Sequence, residues 1–144
     1  MEERHGIEPA VIDTGIIYAL ADKKDSWHKK AFDFVMSFKG KLITPSPVIP
    51  EACYLLNIYL GRSAEISFIR SLINRELGIE HFNIDDLMRC GELLKQYDAL
   101  NLGFVDASIL AISERMKIRR ILTTDRRHFS AVKPKHCEAF ILLP

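Results

Sequence analysis

The sequence contains few cysteines, and their spacing gives no redox or zinc motif. Cys53, Cys90 and Cys137 are the three cysteines in 144 residues, and no two of them form a Cys-x-x-Cys pair. An odd number of widely spaced cysteines does not build a disulfide framework. Such residues are typical of free, buried thiols in a reducing compartment, and we therefore expect a cytoplasmic protein.

The sequence also lacks an apolar segment suited to export or to a membrane. Residues 1–6 are polar and do not contain the apolar core of a signal peptide. Residues 42–60 approach the length of a transmembrane helix, but they include three prolines and Glu51. Because prolines and a carboxylate are poorly tolerated in a bilayer, we expect no membrane association.

An excess of charge of one sign is missing as well. The chain has 20 Lys and Arg against 19 Asp and Glu, a net charge of +1, and 48% hydrophobic residues. This composition is typical of one globular domain, and we predict a flexible N-terminal tail over residues 1–8 and a single domain over residues 9–144. Residues 115–136 are locally basic. That run either attracts a polyanion or is a solvated helix end and loop.

Short apolar segments alternate with helical patterns along the whole chain. We predict strands over residues 9–13, 41–44, 79–82, 120–123 and 139–142. Six helices are predicted between them, over about 14–21, 25–38, 48–59, 63–76, 83–97 and 104–116. This alternation favours an α/β fold, a three-layer α/β/α sandwich with a mainly parallel central sheet of about five strands.

Four acidic residues stand in apolar surroundings where a buried charge is costly. Asp13 and Asp125 follow predicted strands, whereas Glu51 and Asp106 lie near helix starts. If the fold gathers them at the carboxyl ends of the strands, two carboxylates about 5 Å apart repel by roughly 3 kcal/mol at an effective dielectric of ~20. A divalent cation would remove that penalty, so a metal site is the leading hypothesis. Asp98 is a weaker fifth acid.

A plainer interpretation competes with the metal site. Acids at helix starts commonly act as N-caps, which would account for Asp106 and Asp125. It accounts less well for Asp13, because Asp13 or Thr14 alone could cap the next helix and Glu51 would then have no role. On the same interpretation, Thr14 and Thr123 are ordinary cap or strand residues.

The histidines near these acids in sequence are interpreted as surface or packing residues. This interpretation covers His28 and His128.

Four short blocks carry a resemblance to a known family. They are VIDTG at 11–15, PEA at 50–52, GFVDAS at 103–108 and LTTDRRHF at 122–129. In this order and spacing they resemble the signature blocks of PIN-domain ribonucleases, and the VapC-type toxins of bacteria and archaea are the closest subgroup. The resemblance implies a parallel sheet of about five strands between helices, and hydrolysis of RNA phosphodiester bonds with Mg²⁺ or Mn²⁺.

The resemblance also assigns roles to individual residues. The catalytic and metal-binding acids would be Asp13, Glu51, Asp106 and Asp125. Supporting positions would be Thr14, Thr123 and Asp98. Weaker candidates for RNA contact are Arg126, Arg127 and Lys117. Either Asp106 or Asp125 would orient or deprotonate the attacking water, and Gly15 departs from the Ser or Asn of many relatives.

The resemblance implies an RNA substrate, an antitoxin protein and a homodimer as partners. Two alternatives stay open at this point: a PIN nuclease of RNA processing without an antitoxin, and a non-catalytic RNA-binding module. Two other classes fit poorly. A receiver domain needs a phosphoacceptor Asp and a late Lys, and a haloacid-dehalogenase-like phosphatase needs Asp-x-Asp where this chain has Asp13-Thr14-Gly15.

Overall fold

Five short apolar segments form the central sheet of the computed structural model, which describes residues 6–144. They are β1 (Ala10–Ile12), β2 (Leu42–Pro45), β3 (Gly78–Glu80), β4 (Arg120–Leu122) and β5 (Ile141–Leu143). All neighbouring strands pair in parallel, in the order β3-β2-β1-β4-β5. Every residue of the central strand β1 is buried, as expected for a parallel strand covered on both faces.

Seven helices connect or follow the strands. They are α1 (Thr14–Ala21), α2 (His28–Ser37), α3 (Val48–Leu60), α4 (Arg62–Ile73), α5 (Ile84–Gln96), α6 (Phe104–Arg115) and α7 (Arg126–Ala131). A 3₁₀ turn, Asp98–Leu100, lies between α5 and α6. Helix α1 packs against α2 and α3, α3 packs against α4, and α5 packs against α6. The predicted α/β/α architecture and its six longer helices are confirmed, whereas α7 was not predicted.

The strand order places a crevice at the carboxyl ends of the central strands β1 and β4. From β1 the chain moves outward through β2 to β3, and it then returns to the other side of β1 to form β4. In open α/β sheets, ligands bind at the carboxyl ends of strands where the order reverses in this way. Asp13 directly follows β1, and Thr123 directly follows β4. Two of the predicted site segments therefore meet at this crevice.

Helix α6 provides a rigid support beside the crevice. Seven consecutive residues, 107–113, are buried, so the helix is enclosed on all sides beyond its first turn. Asp106 immediately precedes this buried segment. Its backbone is therefore fixed by the packing of the helix, while its side chain stays partly accessible.

The chain ends and the cysteines add little to the site. Within the predicted tail, residues 1–5 lie outside the described residues, and Glu8 forms an ion pair with Arg119 at 2.9 Å. The three cysteines are unpaired, with Cys90 buried. None of the helices within residues 6–144 has the length and apolarity needed to cross a membrane.

Arg115, in the predicted basic run, carries a structural ion pair rather than an exposed charge. Its guanidinium bonds the carboxylate of Asp86 at 2.9 Å, and only 2% of the Asp86 side chain is exposed. Asp86 also closes a capping box with Asn83 at the start of α5. The pair therefore ties α6 to α5.

We expect Arg115→Ala to destabilise the fold by about 1–3 kcal/mol, because it leaves a buried carboxylate short of its charged partner. Urea unfolding at neutral pH measures the loss. Arg119→Ala is the matched control, because 53% of the Arg119 side chain is exposed, and it should cost less than about 1 kcal/mol. Equal losses in the two variants would contradict this interpretation.

Candidate metal centre

Asp13 is a buried carboxylate at the carboxyl end of the central strand. Only 6% of the residue is exposed. Its Oδ1 accepts the backbone N–H of Thr14 at 2.7 Å, and its Oδ2 accepts the hydroxyl of Thr123 at 2.8 Å. Asp13 also caps the N-terminus of α1, where the helix dipole favours a negative charge. The carboxylate is therefore held in one orientation from both sides.

Thr123 links the segments that follow β1 and β4. It is fully buried, and its Oγ1 donates to Asp13 while accepting the backbone N–H of Asp125 at 2.9 Å. Thr14 acts differently, because its contact with Asp13 is made by the backbone N–H. The Thr14 hydroxyl is buried without a hydrogen-bond partner within the described residues.

Gly15 allows the first turn of α1 to approach this segment closely. A Cβ atom at position 15 would collide with the Oγ1 of Thr124. The departure of this position from the Ser or Asn of many relatives therefore has a steric reason in this chain.

Asp106 and Glu51 lie in the first turns of α6 and α3 and act on Asp13 electrostatically. The pKa of Asp13 is raised to about 6, mainly by burial and in smaller part by the charges of Asp106 and Glu51, against the lowering effect of the hydrogen bonds from Thr123 and Thr14. The pKa of Asp106 is raised by burial and then by the charges of Asp125 and Glu51, while His128 lowers it. The four acids therefore form one repelling group, with Glu51 at its exposed side.

Asp125 is both an N-cap and a member of this group. Its Oδ1 accepts the backbone N–H of His128 at 3.1 Å, which caps α7. The capping interpretation therefore holds for Asp125 and Asp13. It does not hold for Asp106, because the cap of α6 is Gly103 and makes no side-chain hydrogen bond.

His128, interpreted from the sequence as a surface or packing residue rather than a metal ligand, is partly buried and contacts the acidic cluster. Its Nδ1 lies 2.6 Å from Asp125 Oδ2 and 4.0 Å from Asp106 Oδ2. Its hydrogen bond with Asp125 raises the pKa of the imidazole. The sequence signal was the Asp-x-x-His spacing, which puts both residues on one side of a helical turn. His28, by contrast, bonds the carbonyl of Ala19 at 2.7 Å.

The other predicted site residues lie outside the acidic group. Asp98 is exposed on the 3₁₀ turn before α6. Arg126 lies over the ring of Trp27 and bonds the carbonyl of Pro144, while Arg127 is exposed beside it. Lys117 follows the far end of α6. A helix of twelve residues is about 18 Å long, so Lys117 is not brought to the acids.

The donor set suits a hard divalent cation. All four predicted ligands are carboxylates, the oxygen donors that Mg²⁺ and Mn²⁺ prefer. The pKa values of Asp13 and Asp106 are raised first by burial and then by the charges of neighbouring acids. A cation at this position would relieve that repulsion.

Comparison with known proteins identifies the family. The model of the PIN domain matches residues 10–134, and the chain belongs to this family, as its four sequence blocks indicated. Ribonuclease VapC26 of Mycobacterium tuberculosis is 27% identical over 134 residues, covering 93% of this chain and 99% of that protein.

Solved structures agree with this assignment. Mycobacterium tuberculosis VapC20, a sarcin-ricin loop cleaving toxin, matches with a TM-score of 0.81 at 25% identity, over 90% of this chain and 98% of that one. A toxin–antitoxin complex from Klebsiella pneumoniae matches with a TM-score of 0.67 at 19% identity, over 85% of this chain and 92% of that one. At the latter identity the likeness shows the fold alone.

The buried carboxylate makes the metal-free protein sensitive to pH. The pKa of Asp13 is raised from 3.8 to about 6 in the folded state, so its stabilising contribution is complete below about pH 4 and is lost as the pH rises through 6. This shift of about two units corresponds to about 3 kcal/mol.

We expect unfolding free energies in EDTA to fall from pH 4 to pH 7, and Asp13→Asn to remove most of that fall. Urea unfolding at several pH values measures both slopes. Asp33→Asn, at an exposed position on α2, should keep the wild-type slope. If Asp13→Asn kept it as well, Asp13 would not be the titrating group.

Proposed function

We propose that the chain is a divalent-metal-dependent endoribonuclease that hydrolyses RNA phosphodiester bonds. The observation that carries the proposal is the group of carboxylates beside the carboxyl ends of β1 and β4, where burial and then the charges of neighbouring acids raise the pKa of Asp13 and Asp106. Membership of the PIN domain family and the likeness to two VapC proteins support it.

Asp13, Glu51 and Asp106 would hold Mg²⁺ or Mn²⁺, with Asp125 beside them in contact with His128. When bound, the ion supplies an acidified water and neutralises charge on the phosphoryl oxygens. The chain itself supplies the orientation. Thr123 fixes one oxygen of Asp13, and the Thr14 N–H fixes the other, so both oxygens present their remaining lone pairs in a fixed direction.

One carboxylate would also accept the proton of the attacking water. Asp125 is suited to this role, because it lies beside Asp106, whose pKa its charge raises, and because His128 orients both of its oxygens. Attack of water on phosphorus breaks the bond to the 3′ oxygen. The products would be a 5′-phosphate and a 3′-hydroxyl, and no histidine needs to transfer a proton.

We infer a structured ribosomal RNA loop as the first substrate to test. The support is VapC20, which is described by its cleavage of the sarcin-ricin loop. Arg126 and Arg127 begin α7 immediately after Asp125, so their guanidinium groups would contact the backbone beside the cleaved bond. Such contacts bind any sequence, and loop shape would have to supply the selectivity.

We also infer that an antitoxin covers part of the first four helices. A mainly apolar groove of about 410 Å³ is lined by residues of α1 to α4, among them Leu20, Val35, Leu56 and Phe68. The same helices expose Phe32, Met36, Ile69 and Ile73. Apolar surface of this kind is typical of a protein interface, and the Klebsiella structure is a toxin–antitoxin complex.

A gene for a small DNA-binding protein beside this one would support that pairing. Its absence would favour a PIN nuclease of RNA processing. The homodimer stays an implication of the family resemblance, and the cytoplasmic location stays a prediction from the sequence.

Cleavage of a sarcin-ricin stem-loop and of a mixed RNA pool tests the nuclease. With Mg²⁺ or Mn²⁺ we expect the wild type to cleave RNA, and we expect no cleavage in EDTA. The cleavage rate should fall by about 100-fold or more in Asp13→Asn and Asp106→Asn. Asp33→Asn makes the same change of charge at an exposed position on α2, and this variant should cleave RNA at the wild-type rate. Folded wild type that binds these RNAs without cutting either would indicate a non-catalytic RNA-binding module.

Salt dependence tests the contact with the RNA backbone. Arg127→Ala should weaken RNA binding across different sequences and lower the slope of log K against log salt by roughly one unit. Fluorescence anisotropy measures this binding, and both substitutions are made in the Asp13→Asn variant so that the RNA is not cleaved. Lys117→Ala is the matched control at the far end of α6, and an equal effect there would place the RNA elsewhere.

A further inference from the structure

His128 is held between two oxygen atoms that lie on different parts of the chain. Its Nδ1 is 2.6 Å from Asp125 Oδ2, and its Nε2 is 3.1 Å from the carbonyl oxygen of Leu100. A carbonyl oxygen only accepts, so Nε2 carries a proton. Nδ1 either donates to the Asp125 carboxylate or accepts a proton that the carboxyl holds. In both cases neither ring nitrogen has a lone pair left for a metal ion.

The same residue takes up both carboxylate oxygens of Asp125. Oδ1 accepts the backbone N–H of His128 at 3.1 Å, and Oδ2 contacts its ring. Leu100 ends the 3₁₀ turn that precedes α6, so the imidazole joins α7 to the segment that leads into Asp106. Asp125 is thus oriented by His128 rather than by solvent.

The ring also stands close to Asp106. Nδ1 lies 4.0 Å from Asp106 Oδ2, and one ligand atom from each of Asp106, Asp125 and His128 falls within 4.8 Å of the others. An ion that bridged Asp106 and Asp125 would have to lie beside this nitrogen and compete with it for Asp125 Oδ2. The hydrogen-bonded ring therefore occupies the space beside Asp106 and Asp125 that such an ion would need.

We propose that His128 is a positioning residue that fixes Asp125 and takes the place of a second cation, so that the acidic cluster binds a single divalent ion on its Asp13 and Asp106 side. This inference rests on the proposed metal-dependent function. It concerns the number of ions and the orientation of Asp125, whereas the nuclease assignment concerns the reaction.

Titration of the full-length protein with Mn²⁺ tests the proposal, with electron paramagnetic resonance to distinguish an isolated ion from a spin-coupled pair. We expect one isolated Mn²⁺ per chain in the wild type and none in this site in Asp13→Asn. In His128→Ala, the vacated space and the released Asp125 should admit a coupled second ion. A coupled pair in the wild type, or a single ion in folded His128→Ala, would overturn the proposal.

Two further variants separate positioning from folding. His128→Gln keeps a side-chain donor for Asp125 and should retain one ion, while His28→Gln changes a histidine that bonds only the Ala19 carbonyl on α1 and should match the wild type. In RNA cleavage we expect kcat to fall by about 10- to 100-fold in His128→Ala with KM unchanged, and His128→Gln to restore part of it. A change in KM with kcat unchanged would contradict a positioning role.

The results also distinguish failure of this inference from failure of the nuclease. A wild type that binds one Mn²⁺ and cuts no RNA would leave the ion count standing and remove the proposed reaction. A wild type that cuts RNA with a coupled pair of ions would keep the reaction and remove the role of His128.

Discussion

The hydrogen bond between Thr123 and Asp13 is the interaction on which the site depends. It joins the ends of the two adjacent strands β1 and β4 at the reversal of strand order. Without it, the Asp13 carboxylate would be buried with only the Thr14 N–H as a partner. Since Thr123 also accepts the Asp125 N–H, one buried hydroxyl sets the relative position of two acids that lie more than a hundred residues apart in the chain.

Opposing effects act on the charge of the Asp13 carboxylate. The α1 N-terminus and two hydrogen bonds favour the charged carboxylate, whereas burial and the charges of Asp106 and Glu51 oppose it. The opposing effects are larger, because the pKa of Asp13 is raised to about 6. The metal-free fold therefore tolerates an unfavourable concentration of charge, which is the usual relation between stability and a functional site. A bound divalent ion would reverse the sign of this contribution.

The sequence predicted what depends on local pattern and missed what depends on distant contacts. Apolar runs identified all five strands, and acids in apolar surroundings identified the residues that follow β1 and β4. Helix α7 was missed because it has six residues, mostly polar, and begins at the Asp125 cap. The environment of His128 was missed because one of its partners, the Leu100 carbonyl, lies 28 residues away. Likewise, the acids that pair with Arg115 and Arg119 lie far from residues 115–136 in sequence. The sequence of this run therefore overstates the positive charge of the folded surface.

The segment from Asp125 to His128 shows how one helical turn meets two opposite requirements. A nuclease must concentrate negative charge for its metal and positive charge for its substrate, and the two would cancel if they faced the same way. At the start of α7, positions i and i+3 share one face, while i+1 and i+2 point away from it. Asp125 and His128 are accordingly partly buried in the acidic group, whereas Arg126 and Arg127 are exposed. Because Arg115 and Arg119 are engaged in ion pairs with Asp86 and Glu8, Arg126 and Arg127 are the cations next to the acids in the chain, and the helical period itself keeps them apart from the acidic group.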